Sequence, residues 1–579
     1  MKLVEALEIA KAQTDQFGPP KEIFLLCGFT PLHLKTFLTA HLRLCFPESL
    51  IEIKTGLFGD LAANFERLKP GGATYACIVV EWGDFDPRLG IRSLGGWQPE
   101  DIPDIVASAR RQSVRLANLI RQAAEEMPVY VSAPTLPLPP IFVTGTNQAQ
   151  NDECKLREIA ASFAASISAS HGTNVINPQR LDEISPFSRR FNPREELSTG
   201  FPYHLEHACS LAELFSTLIK GVPPKKGIIT DLDETMWKGI LGEVGVEGIS
   251  WELATGAQIH GLYQRFLSSL ASSGVLLAAA SKNDRALVEA ALERPDILLS
   301  KEKLFPLEIN WKAKSESIER ILKVWNIGAE DVIFIDDSPL EVAEVQSVYP
   351  QMECIVFPKT NALAFWDFLR HIRNLFGKNE ISKEDTIRLD SIRNADLFRD
   401  LEGTSSSHAD DFLRTAEARI AFSSSPDAHD GRALELLNKT NQFNLNGRRL
   451  DNAQWAAALQ CPGAVLLTAT YEDRYGALGK IGVVLGKCEG STLYVNSWVM
   501  SCRAFSRRIE YACLKYLFDR TSVEQIVFNY AATSRNGPLR EFFEHLLGEE
   551  PQENLCVSKA TFLANAPPTY QSIIEVQNN

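Results

Sequence analysis

Apolar and polar positions along the chain alternate between two periods. Short, almost continuous apolar runs at residues 22–27, 75–80 and 129–132 predict buried strands. Between and after them, apolar residues recur at helical spacing over residues 32–44, 104–126, 153–169 and 211–220. Strands alternating with helices predict a parallel sheet covered on both faces, whose ligands sit beyond the carboxyl ends of the strands. Those ends read Gly28-Phe29-Thr30, Glu81 to Asp86, and Ala133-Pro134-Thr135. Thr30 suits a helix N-cap better than a nucleophile. The acidic loop from Glu81 to Asp86 has two readings, a binding surface or a solvated turn. His204 and His207 lack the spacing of a helical metal pair and read as structural. Pro223-Pro224 ends the helix at 211–220 and restarts the chain extended, which places a first domain at residues 1–222.

The alternation resumes over residues 225–375. A run at 227–230 stops abruptly at Asp231-Leu232-Asp233-Glu234-Thr235. A second at 274–280 stops at Ser281-Lys282-Asn283-Asp284, and a third at 331–335 stops at Asp336-Asp337-Ser338-Pro339. Asn310 to Ser315 brings Lys314 to the start of a helix at 316–325. In a parallel sheet these ends share one edge. Acidic and hydroxyl side chains there, with one Lys opening a helix between them, point to phosphate chemistry on a hard divalent cation. Mg²⁺ would be held by Asp231, Asp233 through its backbone carbonyl, and Asp336, with Asp337 in support. Asp231 is the candidate nucleophile and Asp233 the candidate acid and base. Lys314 would neutralise charge on the nucleophile and the phosphoryl group. Thr235, Ser281, Lys282 and Asn283 are the candidates for holding substrate phosphate. His260 and His371 fall in helical patterns and read as core or surface histidines.

Residues 376–410 combine a charged helical pattern at 381–401 with Glu-Gly-Thr-Ser-Ser-Ser at 402–407, and read as a helical linker with a flexible joint. A last domain, residues 411–579, shows a helix near 432–440, strands near 465–471, 481–487 and 492–499, a helix at 503–518, a strand at 525–529 and a helix at 538–547.

Composition narrows the function classes. A chain of 579 residues exceeds one core. A net charge of -14 argues against nucleic acid as partner, because no basic excess exists to neutralise phosphates. Eleven cysteines with no Cys-x-x-Cys pair fit reduced thiols rather than a disulfide framework or a zinc site. No run approaches the ~20 apolar residues of a membrane span, and the N-terminus lacks the apolar stretch of a signal peptide. A cytoplasmic protein with no membrane partner is expected.

The ordered set Asp231-x-Asp233-x-Thr235, Ser281, Lys314 and Asp336-Asp337 resembles the haloacid dehalogenase (HAD) superfamily. The longer stretches Asp231-Leu-Asp-Glu-Thr-Met-Trp-Lys-Gly-Ile-Leu-Gly-Glu243, Ser281-Lys-Asn-Asp284 and Asn310-Trp-Lys-Ala-Lys314-Ser are similar to its FkbH-like subfamily, type IIIC. That resemblance implies a Rossmann-like central domain, Mg²⁺, and processing of a phosphorylated acyl donor of the glyceryl-phosphate type. It also implies transfer toward an acyl carrier protein in polyketide or related specialised metabolism. Many such proteins carry Cys before the Ser-Lys-Asn, where this chain has Ala280. Without that thiol, a small-molecule phosphomonoesterase and a non-catalytic carrier-protein adaptor stand as alternatives. The first domain resembles the SGNH-hydrolase type of α/β domain without its Ser. The last resembles an α+β GNAT-type acyltransferase core. There the resemblance puts coenzyme A or phosphopantetheine at Arg503, Ser506, Arg507 and Arg508, with both glycines of the usual pyrophosphate turn replaced. The whole reads as a three-domain α/β protein.

Overall fold

The first apolar run forms strand β1 (Lys21–Cys27), whose last five residues are buried. In this computed structural model, residues 1–12, 20–68, 73–93, 97–221, 223–378, 381–393, 413–424, 430–474, 476–501, 504–505, 507–533 and 536–576 are described. Two units emerge, Met1–Val222 and Pro223–Asn579.

In the first unit, β1 is joined by β2 (Ile51–Thr55), β3 (Tyr75–Val79), β4 (Val129–Ser132) and β5 (Thr173–Val175), all parallel, in the order β2-β1-β3-β4-β5. Alternate residues of β1 face opposite cores. Ile23 and Leu25 pack with helices Leu32–Cys45 and Leu205–Lys220, while Phe24 and Leu26 pack on the side of helices Ile102–Glu126 and Asn151–Ser168. β2 alternates buried and exposed positions as an edge strand does, and β5 is three residues long. Neither leaves a continuous apolar run, so the pattern did not announce them. The helix after β1 starts from Pro31 with no side-chain cap, and the Thr30 N–H donates to Gly200 O instead, so Thr30 is not the cap.

Among its described residues the second unit contains two sheets. Its first is a parallel sheet of β6 (Gly227–Thr230), β7 (Leu276–Ser281), β8 (Leu304–Ile309), β9 (Val332–Asp336) and β10 (Glu353–Val356), in the order β10-β9-β6-β7-β8. β6 is central, which is why all four of its residues are buried. Gly227 is required by close packing: a Cβ there would stand 2.4 Å from Trp325 Cζ3. Trp325 closes the helix Lys314–Trp325, so this contact seats the helix whose first residue is Lys314. Between β6 and β7 the chain makes a Lys238–Ser250 bridge, a short helix Leu241–Val244 and the helix Gln258–Ser272, with no inserted domain. Lys378 and residues 381–393, expected to begin a linker, pack on this sheet. Lys378 and Arg388 pair with Asp385 at 2.7 and 2.6 Å, Arg388 Nη1 donates to Gly274 O, and Ile392 enters the core. The expected joint at 402–407 lies outside the described residues.

The other sheet has eight strands: β11 (Arg419–Ser423), β12 (Phe443–Asn444), β13 (Ala464–Asp473), β14 (Gly476–Glu489), β15 (Thr492–Met500), β16 (Gln525–Phe528), β17 (Leu555–Ser558) and β18 (Ser572–Glu575). Its order is β17-β16-β15-β14-β13-β11-β18, with β12 on β15. The expected consecutive strands are β13, β14 and β15, which pair antiparallel, and β16 lies parallel to β15. The helix expected from residue 503 is Ile509–Thr521. Among the described residues, no helix is long and apolar enough to cross a membrane.

Candidate active site

Strand order decides which chain ends meet. β6 and β9 are neighbours, so Asp231, just past β6, and Asp336, the last residue of β9, lie side by side at the carboxyl edge. This is also where the connectivity of the sheet reverses, the usual location of ligands in such sheets. The Asp231 N–H donates to Ile335 O at 2.9 Å, which extends the ladder by one bond and fixes the first acid.

Lys314 reaches into this pair from its helix. Its Nζ stands 2.7 Å from Asp231 Oδ1 and 2.5 Å from Asp336 Oδ2, and all three side chains are at least nine-tenths buried. The contact to Asp231 is an ion pair without a directed donor on Oδ1. Burial works against the Lys314 ammonium, yet the two carboxylates raise its pKa, so it stays charged. Burial and the charge of Asp231 push Asp336 upward, against the pull of Lys314. Its Oδ1 accepts from the Ser338 N–H at 2.8 Å.

Asp231, Asp336 and Asp337 bring carboxylate oxygens within 4.8 Å of one another. Three hard oxygen donors around one point suit Mg²⁺, which takes few protein carboxylates and keeps water or phosphate in its remaining positions. The Asp233 carboxylate is not in that cluster. It turns away from it, so that Oδ1 accepts from Trp237 Nε1 at 2.8 Å and Oδ2 from Asn283 Nδ2 at 3.0 Å. The turn that re-aims it passes through Glu234 at φ 54°, a left-handed conformation. Burial raises the Asp233 pKa, as does the charge of Asp231 more weakly, and the Trp237 bond opposes the rise. The two acids therefore differ: Asp231 lies beside the Lys314 ammonium, Asp233 among neutral donors.

The remaining candidates are placed as follows. Ser281 ends β7 and is buried, with its carbonyl accepting from the Asn310 N–H. Asn283 is buried and committed to Asp233. Thr235 is fully buried, its Oγ1 has no partner among the described residues, and its carbonyl faces His260 Nδ1 at 3.0 Å. Lys282 pairs with Glu341 at 2.6 Å and is partly exposed. His371 is on the surface beside Glu353. In the last sheet, the Arg507 guanidinium is fully buried, paired with Asp473 at 3.4 Å and stacked over Tyr471. Arg508 sits at φ 56° and donates to Pro568 O at 3.0 Å. Arg503 and Ser506 lie outside the described residues.

Two residues were not singled out from sequence. Lys359, in the loop after β10, bridges Asp337 Oδ2 at 2.8 Å and Glu234 Oε2 at 3.4 Å. Trp237 was quoted within a motif but given no role, and it is the donor to Asp233. Lys359 follows β10 (Glu353–Val356) closely, so the carboxyl end of that strand is the signal that locates it.

No known family pattern matches the chain. No curated protein matches it either. Among solved structures, the chain is similar to the N-terminal part of the protein BF1531 from Bacteroides fragilis, which contains a phosphatase domain and is complexed with Mg. Identity is 17%, the match covers 66% of this chain and 100% of that one, and the TM-score is 0.49. It is also similar to phospholipase A1 from Streptomyces albidoflavus NA297, at 14% identity over 35% of this chain and 99% of that one, with a TM-score of 0.25. With TM-scores below 0.5, neither likeness assigns this chain an activity.

Proposed function

We propose that the parallel sheet of the second unit carries a Mg²⁺-dependent phosphoryl-transfer site of the HAD type, with Asp231 as nucleophile. The observation that supports it is the placement of Lys314 between Asp231 and Asp336, with Asp337 beside them, at one strand edge. Asp231, Asp336 and Asp337 would hold Mg²⁺, which when bound offsets the charge of the phosphoryl oxygens. Asp231 attacks phosphorus, forming an Asp–O–P bond as the bond to the leaving oxygen breaks. Asp233, kept protonated longer by burial, gives its proton to that oxygen. Water then attacks the aspartyl phosphate while Asp233 takes its proton back, which releases phosphate and restores both acids. Lys314 holds Asp231 in place and neutralises charge throughout.

A finer reading of the same site is that the donor is an acyl phosphate of a small acid, and that the phosphopantetheine thiol of an acyl carrier protein attacks the acyl carbon in place of Asp231 attacking phosphorus, so that a C–S bond forms, the C–O bond to phosphate breaks, and inorganic phosphate leaves with the thiol proton. Its support is the absence of an inserted domain over the edge, together with exposed apolar side chains beside it. Trp311, next to Asn310, is 75% exposed, and Leu340, next to Ser338-Pro339, is 77% exposed. Ala280 is fully buried on the face that packs Ile318, Ile321 and Trp325, so no thiol precedes Ser281 and transfer would proceed without a cysteine acyl intermediate there.

The test is incubation of the full chain with Mg²⁺ and acyl phosphates, with and without a phosphopantetheinylated carrier, followed by intact-mass measurement and phosphate assay. Acyl mass on the carrier supports transfer, and phosphate release alone supports a phosphomonoesterase. Silence with every phosphorylated acid, while the protein still binds carrier, leaves an adaptor and sinks the catalytic reading.

A further inference from the structure

A second cleft lies in the first unit, at the reversal between β1 and β3. It has a volume of about 490 Å³, enough for a small ligand. Phe29, Phe58, Leu136, Leu138 and Phe191 give it apolar walls, and its floor carries Asp84 and Glu196. Asp84 is held directly over Gly28: a Cβ on Gly28 would stand 1.9 Å from Asp84 Oδ1. A glycine after β1 is thus what admits this carboxyl to the strand edge.

The acids are unequally satisfied. Glu81 is saturated, accepting from Thr135 Oγ1, Tyr203 Oη and the Thr135 and Leu136 N–H groups. Asp84 Oδ2 accepts from the Glu81 N–H at 2.7 Å, but no described residue donates to Oδ1. Glu196 is 6% exposed, with Oε1 taken by Arg92 Nε at 2.6 Å and Oε2 without a partner. Arg92, lying over the Phe58 ring at 4.7 Å, is the one cation among the described lining residues, against three acids. Burial pushes Asp84 up to about 7 and raises Glu196, as expected of acids short of positive charge. Among the described lining residues there is no histidine and one hydroxyl, that of Ser93. A base–nucleophile pair is lacking, so the chemistry is that of binding.

We propose that this cleft binds a small apolar molecule bearing an ammonium group, which donates to Asp84 Oδ1 and Glu196 Oε2 while its body packs on Phe29, Phe58 and Phe191. An ammonium supplies both the missing donors and the missing charge, and an aromatic or branched body matches the walls.

The experiment is calorimetric titration of the full chain with phenethylamine, 2-phenylethanol and 3-phenylpropionate, extended to butylamine and tryptamine. The amines are expected to bind at least tenfold more tightly than the alcohol, and the carboxylate not at all. In Asp84→Asn the Glu81 N–H keeps an acceptor while a donor replaces Oδ1, so amine affinity is expected to fall at least tenfold with the melting temperature nearly unchanged. If Asp84→Asn fails to fold, the selectivity series on the unmodified protein decides alone. Equal binding of amine and alcohol, tighter binding of the carboxylate, or no binding by any amine overturns the proposal.

Discussion

Trp237 Nε1 donates to Asp233 Oδ1 at 2.8 Å, across a turn in which Glu234 takes a left-handed conformation. The indole is fully buried, so its N–H has a fixed direction and holds the carboxyl away from the cluster of Asp231, Asp336 and Asp337. A hydrogen bond to a carboxylate favours its charged form. Trp237→Phe keeps the packing and deletes that donor, which raises the Asp233 pKa further. The alkaline limb of the kcat profile, which reports loss of the acid form, is then expected to move to higher pH. An unmoved limb would mean that Asp233 is not the proton donor.

Asp231→Asn removes the nucleophile and is expected to abolish phosphate release, whereas Asp233→Asn keeps the nucleophile but removes the proton donor and the base that activates water, and lowers turnover by about 10²–10⁴-fold. Trapping with a labelled phosphorylated acid distinguishes them. Label should accumulate covalently in Asp233→Asn and be absent in Asp231→Asn. Turnover by Asp231→Asn at the unmodified rate rejects the nucleophile assignment.

Lys314→Met leaves two buried carboxylates facing each other without their counter-charge. Breaking a buried ion pair in this way costs about 3–5 kcal/mol. The melting temperature should fall, and millimolar Mg²⁺ should restore part of it by supplying the missing charge. Chelation should remove activity from the unmodified protein, with Mg²⁺ returning it. A melting temperature of Lys314→Met that ignores Mg²⁺ would place the ion elsewhere.

In the first unit, His207 is buried between Thr135 Oγ1 at 3.0 Å and Ser185 Oγ at 2.8 Å, and burial lowers its pKa to about 3. The unfolded chain binds a proton near pH 6.5 and the folded one does not until near pH 3. The stability His207 contributes is therefore full above about pH 6.5 and declines as the pH falls, by about 1.4 kcal/mol per pH unit between the two values. Thermal melts from pH 7.5 to 5 should show this slope, and His207→Gln should flatten it. A parallel slope in the variant assigns the acid sensitivity to other groups.

Much of the candidate site was legible in the sequence because each acid stands at the end of an apolar run. Burial on both faces writes β6, β7 and β9 as continuous hydrophobic stretches, and whatever follows such a stretch lies at the sheet edge. Edge strands β2 and β8 are half-exposed, and β8 contains Pro306, so neither carries that signature. Lys359 escaped for a related reason: β10 is a partly exposed edge strand, and its carboxyl end was not followed. The resemblance alone put coenzyme A or phosphopantetheine at Arg507, because side-chain burial has no local signal. Only packing against Tyr471 and Asp473 commits its charge.

The sequence by itself determined the acids, the lysine and the strands that deliver them, since these depend on local order along the chain. The tertiary structure decided what depends on neighbours. Pairing of β6 with β9 set Lys314 between Asp231 and Asp336, and the left-handed turn at Glu234 separated Asp233 from them. The cleft over Gly28 belongs to the second kind as well. Its carboxyls come from the short helix Trp82–Phe85 after β3 and the helix Pro193–Thr199, far apart in sequence, and they share a cavity because strand order reverses beside β1.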